Sequence, residues 1–556
     1  MFTRSGGRPR DLHPLRARRV CGLLALFAAM AILHTWPLAA APATWSRHDN
    51  GDAILNEWII GWIAHQLPRN PLHLFDANIF YPEPNALAFS EHMFVQAVMG
   101  APLSWAGAPS LFVHNVLVIA GFALTGWTMS LVVYRWTGDD WAAIVAGLLL
   151  AFNSHSLTRM ANLQAMHVEF LPLAVYALDR LLARPTAAVA AGLGLAIGLQ
   201  ALTSNYLLVA MAFAMTAAAL VRADDWLGPG RRRSLAMLAG AAALASLMLV
   251  PFLLPYVHAQ REQGLTRTLQ AVTVYNGSWG DYFTTGSRLH FNAWSAPFWT
   301  EMKAALFPGV TALILAGVSI VTAIAWRDRA LRAWLAIGAT GFLMSFGTKM
   351  PGYVLLYHIV PLLQGTRAPV RFGYLALTAV AALGGFGLAR LNRSDWMSHG
   401  RRRMTLGLLA SALVTVEAAR LPIGYVPGYS VPDIYRTLAV ERPHAVVELP
   451  LPPPATFGLN APYMLNSMTG WWRVVNGYSG FLPDSYLDRR VDLALFPSDD
   501  AIGVLRRLGV DYAVVHREEF SHRFPDALDR LAAARTLRPI ATAGDIAIYH
   551  IEDSGR

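Results

Sequence analysis

Long apolar runs, separated by short arginine-rich segments, dominate the chain. They lie at about 20–42, 110–134, 141–153, 168–183, 187–203, 206–221, 234–256, 305–326, 333–347, 372–390 and 404–420. On length and apolarity they predict about eleven membrane-spanning helices, since a span needs roughly 20 apolar residues, fewer if short or tilted. The stretch 93–106 is apolar but short and holds Pro102, which suits an interfacial or re-entrant helix, and 353–363 is a second re-entrant candidate. The first run follows Arg16, Arg18 and Arg19 and ends near Ala39-Ala40-Ala41, so it has the layout of a signal peptide. Its core, from Val20 to about Ala41, exceeds the roughly 7–15 residues of such a peptide, and the reading is an uncleaved first span.

After residue 420 the pattern changes. Ala445-Val446-Val447-Glu448-Leu449, Asp511-Tyr512-Ala513-Val514-Val515 and Ile546-Ala547-Ile548-Tyr549 read as short strands. Between the first two, Ala501 to Leu508 has helical periodicity, with Ser498 or Asp499 as its cap. The fold class expected is therefore an α-helical polytopic membrane protein with a small C-terminal α/β domain. Its divisions are a basic N-terminus at 1–19, a transmembrane domain at 20–420 and the α/β domain at 421–556.

Charge orients this arrangement. The chain of 556 residues is 55% hydrophobic and 14% charged, against about 25% charged for a soluble protein. Its net charge of +10 would suggest nucleic acid in a soluble chain. Here the arginines concentrate in 1–19, 135–140, 180–186, 222–233, 327–332 and 390–403, including Arg231-Arg232-Arg233 and Arg401-Arg402-Arg403. That is the positive-inside pattern, so nucleic acid is not the partner and the N-terminus is cytoplasmic. The loops 43–109, 154–167, 257–304 and 348–371 then share the outer face with the C-terminal domain. Cys21 is the only cysteine, which leaves no intramolecular disulfide and no cysteine metal site. Lysine is confined to Lys303 and Lys349 while arginine and alanine abound, a composition typical of a GC-rich bacterial genome.

Four stretches carry candidate chemistry, all on the outer face. The first is Arg47-His48-Asp49-Asn50-Gly51-Asp52 with Asn56 and Glu57. A helix from Ala53 to Leu67 would put Asp49 and Asp52 on one face, where a partly desolvated carboxylate can act as general base on a hydroxyl. The plainer alternative is a turn at Asn50-Gly51 with Asp52 as a helix cap. The second is Asn153-Ser154-His155-Ser156-Leu157-Thr158-Arg159, followed by Asn162, Gln164 and His167. His155, Arg159 and Asn162 are spaced as one helical stripe, able to hold a phosphate; the alternative is a solvated loop. The third, Gln364 to Phe372, holds Arg367 and Arg371 against the positive-inside bias, facing an anionic lipid headgroup, or else snorkelling to the interface or pairing with Asp49, Asp52 or Glu57. The fourth, Gly470 to Pro483, is rich in aromatics and glycine and suits sugar stacking or docking on a membrane. In the 257–304 loop His258, Tyr275, Trp279, Asp281 and Trp294 suggest a polar–aromatic outer cavity. No HExxH or paired-cysteine pattern is present, so no protein-built metal site is expected.

The order and sidedness of these motifs resemble the GT-C membrane glycosyltransferases, close to the YfhO-like and mannosyltransferase-like bacterial membrane proteins. The resemblance covers most of residues 20–485. It rests on His48 to Asp52, on Ala151-Phe152-Asn153-Ser154-His155 through His167, on Arg367 to Phe372, and on Asn476-Gly477-Tyr478-Ser479-Gly480-Phe481. It implies a polyprenyl-phosphate-linked sugar donor, a hexosyl group moved to an envelope acceptor, and action on the periplasmic face of the bacterial inner membrane. Asp52, or else Asp49, matches the family's first-loop base. Arg159, Arg367 and Arg371, with His155, would hold the donor phosphate, and Glu57, His92, His167, Asn476 and Tyr478 the sugar or acceptor. The acids are spread over Asp49, Asp52 and Glu57, where many members carry a tight acidic pair. No cofactor is firmly implied, a bridging divalent cation is left open, and no protein partner is indicated. The rival reading is a non-catalytic membrane protein, either a lipid-linked saccharide transporter or an envelope assembly scaffold. A transporter should show repeat symmetry and mid-span polar residues, whereas here the polar residues cluster at span ends.

Overall fold

The computed structural model describes residues 12–228, 230–264, 266–300, 304–397, 399–523 and 526–552. Of the basic segment at 1–19, residues 1–11 therefore lie outside the described residues. The chain forms two compact units, each built from separated segments. One comprises residues up to 42, 115–251 and 266–424; the other comprises 43–114, 252–265 and 425–556.

The first unit is helical. Every apolar run becomes a helix, many started by a polar cap placed just before the run. Asp139 accepts from the Ala142 amide at 2.9 Å and begins Asp140–Ala151. Thr186 does the same for Ala187–Thr203, Ser204 for Asn205–Leu220 and Asp328 for Arg329–Ser345. Gly373–Asn392 is the central helix, packed against Asp140–Ala151, Val310–Val321 and Arg329–Ser345. Its small residues permit that approach: a Cβ at Gly387 would lie 1.9 Å from the Leu315 carbonyl oxygen. Among the described residues, five helices are long and apolar enough to cross a membrane: Ala17–His34, Ser110–Thr137, Asp140–Thr158, Arg231–Gln263 and Pro369–Asn392. Ala187–Thr203, Asn205–Leu220 and Val310–Val321 are apolar but shorter. The protein is thus a polytopic membrane protein. Some helices differ in extent from the apolar pattern. The first ends at His34, before Pro37, and the run at 305–326 begins its helix only at Val310. The 353–363 stretch is two short helices, Tyr353–Ile359 and Pro361–Gln364.

The second unit centres on a five-stranded sheet. Its strands are β3 (Ala445–Leu449), β4 (Arg473–Val474), β5 (Tyr512–His516), β6 (Leu537–Ala543) and β7 (Ile546–Ile551), in the order β4-β3-β5-β7-β6. β3 pairs parallel with β4 and β5, and β7 pairs antiparallel with β5 and β6. Val446, Val474, Val514 and Ile548 form one core with Tyr435 and Leu438 of the helix Ile434–Glu441. Ser498 caps Asp499–Arg507, as its sequence suggests. β4 and β6 are the strands the sequence pattern does not reveal: β4 is two residues long, and β6 is interrupted by Pro539 and a register shift. The loop at 43–109, grouped with the membrane domain on sequence, belongs to this unit. Its strand β1 (Trp45–Ser46) pairs antiparallel with β2 (Val426–Pro427). Its helix Gly51–Gln66 packs on Phe94–Trp105 and on Ala461–Ser467.

Candidate functional site

The acidic loop is organised by the start of the helix Gly51–Gln66. Asn50 is its N-cap, with the side-chain oxygen accepting from the Asp52 amide at 2.9 Å. Asp49 precedes the helix and Asp52 lies in its first turn, so the two do not share a helical face. Their surroundings differ. Arg47 grips Asp49 with two nitrogens, Nε at 3.0 Å and Nη2 at 2.9 Å, and that hydrogen-bonded charge holds the Asp49 carboxyl below the ordinary carboxylate range. Asp52 instead lies in the first turn of the helix and accepts from the Tyr478 hydroxyl at 2.9 Å. Glu57 is buried and serves the loop itself, meeting His48 Nε2 at 2.9 Å and accepting from the Ser110 hydroxyl at 2.5 Å.

Two other residues expected at the sugar or acceptor are enclosed in the same unit. His92 is buried against Phe75, Phe252 and Tyr256, its Nδ1 accepts from the Phe94 amide at 3.1 Å, and burial pushes its pKa down to about 3. Asn476 is 0% exposed and its amide is spent on the backbone of Glu448 and on Asn460. Both are buried, and the polar contacts seen for them are to protein groups. The aromatic segment 470–483 is likewise no exposed platform, since Trp472 packs in the sheet core.

The helical unit contains a separate cationic pocket. Its polar lining includes His155, Arg159, Asn162, Gln164, Tyr206 and Arg371, and its apolar wall includes Leu207, Val209 and Phe372. Among the described residues no carboxylate lines it. The stripe expected of His155, Arg159 and Asn162 does not form: the helix there is only Ser154–Thr158, and Arg159 and Asn162 follow in turns. Folding brings all three to the pocket nonetheless. The Arg371 guanidinium lies 4.1 Å from the centre of the Tyr206 ring. Tyr206 is the residue sequence reasoning missed; as the second residue of an apolar helix it gave no polar signal.

Arg367 is not in the pocket lining and sits over Tyr275 at 5.3 Å. Arg267, also absent from the sequence candidates, carries a pKa lowered to about 10 by burial and by the Arg367 charge. Among the described residues no carboxylate forms an ion pair with Arg367 or Arg371. His167 is buried behind the pocket, bonded to Glu169 and to the Leu117 carbonyl at 3.0 Å each, and is closed to a ligand. Asp281 is a structural cap, accepting from Ser278 and from the Ala304 amide. Among the described residues no group of three or more His, Cys, Asp or Glu is placed to hold a metal ion.

No protein-family model matches the chain, and no curated protein matches it. Solved structures do. Over 98% of its length the chain resembles arabinofuranosyltransferase AftD from Mycobacteria, with a TM-score of 0.60 at 15% identity. It spans 40% of the length of AftD. It also resembles the archaeal oligosaccharyltransferase AglB from Archaeoglobus fulgidus, with a TM-score of 0.49, 14% identity and coverage of 90% of this chain and 69% of AglB. ArnT from Cupriavidus metallidurans gives a TM-score of 0.46, 14% identity and coverage of 95% and 98%. The class that these helices define is therefore a membrane protein of the GT-C glycosyltransferase fold.

Proposed function

We propose that the protein is a membrane glycosyltransferase that moves a sugar from a polyprenyl-phosphate carrier to an envelope acceptor at the periplasmic face of a bacterial inner membrane. The observation that carries this reading is the cationic pocket. Arg159 and Arg371 line a space with an apolar wall, which suits a phosphate joined to an isoprenoid chain. Asp52 is the acid assigned as base. Asp49 is committed to Arg47 and Glu57 to His48 and Ser110, whereas Asp52 lies in the first turn of the helix and accepts from the Tyr478 hydroxyl.

In the reaction, Asp52 takes the proton from an acceptor hydroxyl as that oxygen bonds to the anomeric carbon. The bond from that carbon to the phosphate oxygen breaks, and configuration inverts. The leaving polyprenyl phosphate keeps the electron pair, and its negative charge is held by Arg159 and Arg371.

The test is native mass spectrometry of the protein in nanodiscs with undecaprenyl phosphate and with undecaprenol, followed by transfer assays with polyprenyl-phosphate hexose and pentofuranose donors. Undecaprenyl phosphate should bind, undecaprenol should not, and Arg371→Ala should lose the binding. Asp52→Asn should keep the lipid and lose transfer. No difference between the two lipids would overturn the reading.

A further inference from the structure

We infer that Asn476 and Tyr478 are positioning residues for the Asp52 carboxylate, and that strand β3 fixes their placement. The inference rests on the assignment of Asp52 as base and says how that base is oriented.

The chain of contacts begins at the sheet. Val475 donates its amide to the Val446 carbonyl at 3.0 Å, just past the end of β4. There the backbone pairing with β3 stops, and the side chain of Asn476 continues it. Its Oδ1 accepts from the Glu448 amide at 2.8 Å, and its Nδ2 donates to the Glu448 carbonyl at 3.0 Å. Nδ2 also reaches Asn460 Oδ1 at 3.0 Å. A carboxamide is the group that can present a donor and an acceptor to one residue's backbone in this way. The carbonyl of Asn476 in turn accepts from the Phe80 amide at 3.0 Å. Position 476 is thus pinned on several sides in a buried place.

Two residues later, the Tyr478 amide donates to the Met464 sulfur at 3.2 Å and its ring lies beside Phe457. The hydroxyl then reaches Asp52 across 426 positions of sequence. The ring lies against the first residue of the helix, where a Cβ at Gly51 would come 3.3 Å from two of its carbons. Glycine at 51 gives the ring its room. A hydroxyl bonded to one carboxylate oxygen fixes the carboxylate plane, and so sets the direction in which the other oxygen meets a proton.

The alternative is that Tyr478 is a packing residue whose hydroxyl happens to reach an acid. Carboxyl footprinting of the full-length protein in nanodiscs separates the two. Carbodiimide with glycine ethyl ester modifies carboxylates in proportion to their freedom, and peptide mass spectrometry reads each site. Tyr478→Phe should raise modification of Asp52 about fivefold, the equivalent of one ordinary hydrogen bond, and leave Asp49 unchanged. Asn476→Ala should do the same at a distance, and Gly51→Ala, which crowds the ring, supplies the same readout should the asparagine variant not fold. With a donor that is turned over, Tyr478→Phe should lower kcat and leave KM for the donor unchanged. Unaltered footprinting of Asp52 in Tyr478→Phe overturns the inference, as does raised footprinting with unchanged kcat. The footprinting arm needs no substrate, so failure of every donor would count against the transferase reading alone.

Discussion

His48 and Glu57 face each other at 2.9 Å with both side chains buried, nine residues apart in sequence. The other ring nitrogen of His48 accepts from the Tyr429 amide at 2.8 Å. A backbone amide can only donate, so the ring proton sits on Nε2 and points at Glu57. The imidazole therefore ties the acidic loop, the helix Gly51–Gln66 and the segment after β2 into one bracket. Removing either partner leaves a buried polar group unsatisfied, which costs about 1–3 kcal/mol. His48→Ala and Glu57→Ala should each lower the thermal midpoint in detergent, and the double variant should lose less than the sum. Fully additive losses would show that the bracket contributes nothing as a pair.

The contrast between Asp49 and Asp52 gives a second prediction. Asp49→Asn should retain transfer, whereas Asp52→Asn should not. The Arg47 charge also links Asp49 to acid stability. A carboxyl held below its usual value of about 3.9 contributes stability that is present above that pH and is lost as pH falls through the lowered value. The stability difference between the natural protein and Arg47→Gln, followed by acid titration, should shrink over that window and be flat above it.

His516 behaves in the opposite sense. Burial alone would lower its pKa, but the hydrogen bond and charge of the buried Glu448, at 2.9 Å, outweigh it and raise the pKa. The stability it contributes is complete below the ordinary imidazole value of about 6.5 and is lost as pH rises through the raised one. The thermal midpoint should therefore decline with pH above that range in the natural protein. In His516→Gln the decline should be weaker. An identical pH profile would remove the pair from the account.

Arg371 depends on Tyr206 for its place in the cationic pocket. A cation over an aromatic ring is worth about 0.5–2 kcal/mol, so Tyr206→Leu should weaken undecaprenyl phosphate binding roughly two- to thirtyfold. Arg371→Lys should restore only part of what Arg371→Ala loses, because a lysine ammonium lacks the planar fork that matches a phosphate. Native mass spectrometry or scintillation proximity binding would read both. Full recovery by lysine would show that charge alone matters there.

What the sequence by itself determined is what a few neighbouring residues encode. Apolar runs name the helices, Ser498 names a cap, and short runs rich in β-branched residues name β3, β5 and β7. Arginine placement predicts sidedness, and the polar stretches near 49–52, 153–167 and 364–372 point to where chemistry can sit. The tertiary structure decided what each of those groups touches. It tied Asp49 to Arg47, enclosed Asn476, His92 and His167, and set the Tyr478 hydroxyl on Asp52. It also drew Arg159, Tyr206 and Arg371 from three separate segments into one pocket. Periodicity and capping act within a turn or two of chain and can be read locally. A hydrogen bond that spans hundreds of residues has no local signature, because only packing brings its two ends together.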